Sequence, residues 1–294
     1  MNAIETGRVQ AYHEGISFQG WGDASLLTRE DSSSFTASLL FMVVTIIIAQ
    51  TGSAYMIWVW GIGLIVSGIL LRKRSQAIFN TTIVATALLL GYVLYKAFSA
   101  WIRHGLADTG DLAIVLSRLG LMVFILPLAA ASCSLGQGRP RLMTAGQWGR
   151  ALYFPWIITG FRRDPAWRFM LIFAAVSAAA FAFVVDWSRD DLAQLAFYAL
   201  LFALINAVLE ELLWRGYVLS QLTEDYGDIK GLVIGGTAFG FYHLHLGFPW
   251  TICLLFSLFG MMMGAVAIRS QGLGPVIVMH AVMNLWFVMS GMII

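Results

Sequence analysis

The sequence predicts an all-α protein, a polytopic transmembrane helical bundle of about eight or nine spans. Three observations lead there. Of its 294 residues 59% are hydrophobic and only 12% charged, with a mean hydropathy of +0.79, whereas soluble domains hold about 45–50% apolar and about 25% charged residues. Apolar runs near the length that crosses the hydrocarbon, about 20 residues, recur along the whole chain. Lysine and arginine collect in alternate loops, as they do where loops lie on the cytoplasmic side. This composition excludes a disordered chain, a collagen-like chain and an ordinary water-soluble enzyme. A net charge of +2 is too small to point to a nucleic-acid partner.

Residues 1–34 are polar and slightly acidic. They lack a basic start followed by an apolar core, so no cleavable signal peptide is expected and the first span would direct insertion. Apolar segments follow at roughly 36–51, 54–71, 77–101, 111–133, 168–186, 192–219, 231–247, 250–268 and 273–294. The short turn Thr51-Gly52-Ser53 makes the first two a possible re-entrant pair, which is why eight spans is the other count. Four regions result: a polar cytoplasmic segment 1–35, amino-terminal transmembrane helices 36–133, a basic and aromatic cytoplasmic loop 134–167, and a second membrane domain 168–294. Cys133 and Cys253 have neither metal-ligand nor disulfide spacing and read as buried free thiols.

Orientation follows from the loops. Arg72, Lys73 and Arg74, then Arg139, Arg141, Arg150, Arg162, Arg163 and Arg168, then Arg269, all fall on one face of a nine-span chain. The opposite loops hold Arg103 and Arg189 against Asp108, Asp186, Asp190 and Asp191. The first face is therefore expected to be cytoplasmic, together with the amino terminus. Within the basic loop, Trp148, Tyr153, Phe154, Trp156, Phe161 and Trp167 suit a helix lying among lipid headgroups.

Ionisable groups inside spans cost at least about 2.5–3.5 kcal/mol on insertion scales, which makes them functional candidates. Lys96 lies near a span end and can snorkel. Arg118 is deeper, within 112–131, and is expected to pair with a carboxylate or to cap carbonyls. In Asn206-Ala-Val-Leu-Glu-Glu-Leu-Leu-Trp-Arg215, Glu211 and Arg215 share a helical face at i, i+4. Glu210 points about 100° away. It is expected to remain unpaired in a less polar setting, poised as a general base.

Three histidines sit in the last apolar segments: His243, His245 and His280, the last sharing a face with Asn284. In lipid such groups must face one another or a hydrated cavity. Two chemistries fit. As ligands, Glu and His suit zinc. Without metal, Glu210 or Glu211 would activate water, His243 would orient it or protonate the leaving amine, and His280 with Asn284 would stabilise the oxyanion. Both hydrolyse a carbonyl substrate.

The motifs Glu210-Glu211-Leu-Leu-Trp-Arg215, Phe239-Gly-Phe-Tyr-His243 and His280-Ala-Val-Met-Asn284 resemble, in order and type, the signature of the CAAX-protease and bacteriocin-processing (Abi, Rce1-like) family of intramembrane proteases. The resemblance covers roughly 168–294 and implies a glutamate-dependent intramembrane endopeptidase. Its catalytic residues would be Glu210, Glu211, His243, His280 and Asn284, with Arg215 orienting the glutamates and no metal required. It also implies a membrane-anchored peptide or protein substrate, cut near the cytoplasmic side or mid-depth, and residence in a bacterial cytoplasmic membrane. His245 lies outside the pattern as a supporting residue. A proton-coupled transporter lined by the same Glu and His side chains is the non-hydrolytic alternative, as is a silent member acting in immunity.

Overall fold

A computed structural model describes residues 29–136 and 138–293. The polar stretch 1–28, with His13 and the expected lack of a leader, lies outside them. Helix α1 (Arg29–Thr51) turns through Gly52-Ser53 into α2 (Ala54–Leu71), whose first turn is capped by Ser53 Oγ accepting from the Met56 N–H. At 1.5 Å per residue α2 is about 27 Å long, enough to cross rather than re-enter. Its outward side, with Trp58, Ile62, Ile69 and Leu70, is exposed apolar surface of a kind that soluble proteins do not present. Helix α3 (Gln76–Gly105), capped by Ser75, leads to α4 (Asp111–Ser117) and α5 (Gly120–Ser134). After a long loop and a hairpin come α6 (Ala166–Phe181), α7 (Leu192–Glu211), a π-helical stretch (Leu212–Leu219), α8 (Ser220–Tyr242), a 3₁₀ turn (His243–Leu246), α9 (Trp250–Ser270) and α10 (Gly274–Met289).

The bundle is all-α apart from that hairpin, and the chain is a multi-pass membrane protein. Among the described residues six helices are long and apolar enough to cross a membrane, fewer than the eight or nine expected. The difference has a physical source. Residues 192–246 count once although they hold two of the expected segments, because helical turns continue on both sides of a sharp break at Gly227 (φ 76°, ψ 170°). Helices α6 and α10, at 16 residues each, extend only about 24 Å and fall short of the hydrocarbon thickness.

The basic loop departs from expectation. Instead of an interfacial helix it forms an antiparallel hairpin, β1 (Ala151–Pro155) with β2 (Gly160–Pro165). Pro155 and Pro165 remove the N–H groups a helix would need. The loop's backbone also pairs elsewhere, Leu273 N–H with Thr144 O and Gln147 N–H with Ser270 O, across the α9–α10 turn. Arg269 donates to Ala151 O at 3.3 and 3.2 Å, and Arg141 pairs with Asp228 at 2.9 Å. The loops carrying the arginines thus meet on one end of the bundle. Cys253 is buried, but Cys133 is exposed on the bundle's apolar surface.

The core joins both halves. Phe124 and Leu121 of α5 and Leu88 of α3 pack with Trp214, Phe239 and Tyr242. Helices α8 and α9 approach closely at Gly236, Gly240 and Gly260. A Cβ on Gly240 would lie 2.0 Å from Ser257 Oγ, so nothing larger than glycine fits there. That contact fixes where the end of α8, and therefore His243, stands.

Candidate functional site

A cavity of about 50 Å³ lies between the α4–α5 junction, α7, α8, α9 and α10, room for a few water molecules. Glu210, His243, His280, Asn284, His245 and Arg118 all line it. Three separate stretches of sequence therefore do converge. The remaining wall is aromatic, with Phe202, Phe239, Phe256 and Phe287.

Glu210 ends α7 and differs from its expected state. It is not unpaired: its Oε1 accepts from Arg118 Nη2 at 2.8 Å. The charge that the span composition showed in 112–131 finds this carboxylate because two ionised groups so far removed from bulk water are each compensated by the other. Arg118 sits at the α4–α5 junction. It spreads its fork over three partners, donating to Tyr95 Oη at 2.7 Å and to Asn206 Oδ1 at 2.6 Å as well. Asn206 lies one turn before Glu210 on the same face of α7, a spacing readable in the sequence but not given a role there. The other oxygen, Oε2, stands 3.6 Å from His280 Nε2.

Glu211 lies behind the cavity wall. Its Oε1 accepts from Arg215 Nη1 at 2.7 Å and from His280 Nδ1 at 2.6 Å. The expected Glu211–Arg215 pair is present even though the chain after Glu211 winds as a π-helix, an irregularity frequent at functional sites. Arg215 also donates to Gly260 O at 3.1 Å and lies over the Phe239 ring. Because Glu211 Oε1 accepts from a guanidinium as well, His280 Nδ1 carries the proton in this bond. His243 Nδ1 donates to the Phe239 carbonyl at 2.9 Å, which leaves Nε2 of the neutral ring as an acceptor. Its ring stacks on Phe256 with centroids 4.2 Å apart.

Asn284 Nδ2 is buried and has no hydrogen-bond partner among the described residues, and neither has His245 Nε2. A buried donor left open at a cavity wall is the kind of group that a ligand or transition state satisfies. Among the described residues no three His, Cys, Asp or Glu side chains are arranged to hold a metal ion.

Residues 192–286 match the family model described as type II CAAX prenyl endopeptidase Rce1-like. The match spans about a third of the chain. Neither the curated proteins nor the solved structures give a match to this chain. The matched residues include Glu210, Glu211, Arg215, His243, His280 and Asn284, whereas Tyr95 of α3 and Arg118 at the α4–α5 junction lie outside them. The family's description is that of a peptidase.

Proposed function

We propose that this protein is an intramembrane endopeptidase that hydrolyses a peptide bond of a membrane-anchored peptide or protein with a glutamate-activated water. The observation that carries the reading is the shared cavity wall of Glu210, His243, His280 and Asn284. In the reaction, Glu210 takes a proton from water as the water oxygen attacks the scissile carbonyl, and His243 Nε2 accepts a second hydrogen bond from that water. The oxyanion that forms is met by the open Asn284 Nδ2–H and by the Nε2 side of His280. The proton held by Glu210 passes to the leaving amine as the C–N bond breaks. Glu211 and Arg215 orient His280.

No metal is needed for these steps, and the donor set fits zinc poorly. One oxygen of each glutamate is bound to a guanidinium, and His280 Nδ1 is a donor rather than a free lone pair. Residence in a bacterial cytoplasmic membrane, amino terminus inward, accords with the basic loops.

The test uses protein reconstituted in nanodiscs and a quenched fluorogenic peptide ending in a prenylated cysteine and three further residues. Cleavage is expected for wild type, in the presence of a strong chelator as well, and is lost in Glu210→Gln. Cleavage unchanged by Glu210→Gln overturns the assignment.

A further inference from the structure

The cavity and the basic loops lie at opposite ends of the bundle. Three helices fix this. Helix α8 leaves the end where Asp228 pairs with Arg141 and finishes at His243. The chain then passes His245, Leu246 and Phe248 along the cavity wall before α9 starts at Trp250. Helix α9 runs back to Arg269, which holds the hairpin at Ala151. Helix α10 starts beside that loop, with the Gly274 N–H bonded to Ala145 O, and runs away from it past His280 and Phe287 to Met292 and Ile293, which also line the cavity. Glu210 is buried with Arg118 part-buried beside it, while Leu246 at 40% and Met292 at 50% exposure mark the mouth. The mouth therefore faces away from the hairpin end, on the side where Arg189 pairs with Asp191 and feels Asp111.

Charge assigns the two ends. The hairpin end carries Arg72, Lys73, Arg74, Arg139, Arg141, Arg150, Arg162, Arg163, Arg168 and Arg269, against Arg103 and Arg189 at the mouth end. Such a bias in short loops places the first end in the cytoplasm. We infer that the cavity is reached from the non-cytoplasmic face of the membrane, so that its substrate is a membrane-anchored peptide whose cleaved segment lies on that far side. For the substrate this rests on the protease reading; for the direction of access it does not. It replaces the cytoplasmic or mid-depth cleavage expected from the sequence. The aromatic wall suits an apolar segment that leaves the bilayer at this depth.

Impermeant maleimide labelling decides the matter in right-side-out and inside-out bacterial membrane vesicles. The background is full-length Cys133→Ser/Cys253→Ala. Leu246→Cys and Met292→Cys report the mouth, and Gly149→Cys, where a side chain meets open space, reports the hairpin end. The mouth cysteines are expected to label in right-side-out vesicles without lysis, and Gly149→Cys only in inside-out vesicles or after lysis. Mouth cysteines left unlabelled in right-side-out vesicles overturn the inference, and so does Gly149→Cys labelled there. Labelling reads no catalysis, so it can fail while Glu210-dependent cleavage stands, or hold while cleavage is absent.

Discussion

Arg118 and Glu210, 92 residues apart in the chain, meet at 2.8 Å as a buried ion pair that ties the amino-terminal helices to the matched domain. The pair leaves one glutamate oxygen bound and turns the residue's other side toward the cavity. The helices outside the family match thus contribute to the site as well as to the bundle around it.

Removing one partner of such a pair leaves a buried charge uncompensated, at a cost of about 3–5 kcal/mol. Arg118→Gln is therefore expected to lower thermal stability in detergent sharply. Adding Glu210→Gln to it should recover most of the loss, because the charge left behind is then gone. Additive losses in the double variant would show that the two side chains are not coupled.

Glu211 acts through His280. With its Oε1 bonded to both Arg215 and His280 Nδ1, it sets which ring nitrogen faces the cavity. Glu211→Gln keeps the shape but weakens the acceptor for His280 Nδ1 and loses the charge opposite Arg215. A fall in kcat of about 10²–10⁴ with KM nearly unchanged is expected, the pattern seen when a histidine's orienting carboxylate is replaced. A change confined to KM would assign Glu211 to substrate binding instead.

Asn284 separates activity from stability. Its Nδ2 has no partner among the described residues, so Asn284→Ala breaks no hydrogen bond from that nitrogen to them. Unfolding should move by little more than the loss of packed atoms. Losing an oxyanion donor costs about 10²–10³ in kcat, and peptide turnover with a melting curve on the same preparation reads both. A large stability loss with turnover intact would make Asn284 a structural residue.

The sequence disclosed the bundle and the candidate residues because lipid punishes unpaired polar groups, and their presence in apolar runs is itself the signal. Arg118 was visible as a buried charge. Its partner was not, because i, i+4 spacing reports neighbours on one helix and says nothing of a contact across 92 residues. Glu210 was misjudged as unpaired for the same reason. The interfacial helix expected in 134–167 was read from composition, which does not register that Pro155 and Pro165 and backbone bonds to the α9–α10 turn favour a hairpin. The span count roughly fits: the segments expected at 192–219 and 231–247 are separate passes that turn back at Gly227 within the polar stretch 224–230.

Gly240 links the fold to the site. A methyl group there would meet Ser257 Oγ at 2.0 Å and the Cys253 carbonyl at 2.5 Å, so Gly240→Ala must push α8 and α9 apart. Three residues further on, His243 stacks on Phe256 of α9, and that stack loosens with the same movement. Overpacking of this kind costs about 1–3 kcal/mol. Gly240→Ala is accordingly expected to lose both stability and turnover. At Gly63 of α2 an added methyl meets nothing within 4 Å, so Gly63→Ala should leave turnover unchanged and stability equal or up to about 1 kcal/mol higher. If Gly240→Ala keeps wild-type turnover and melting, the close crossing of α8 and α9 is not what holds His243 in the cavity wall.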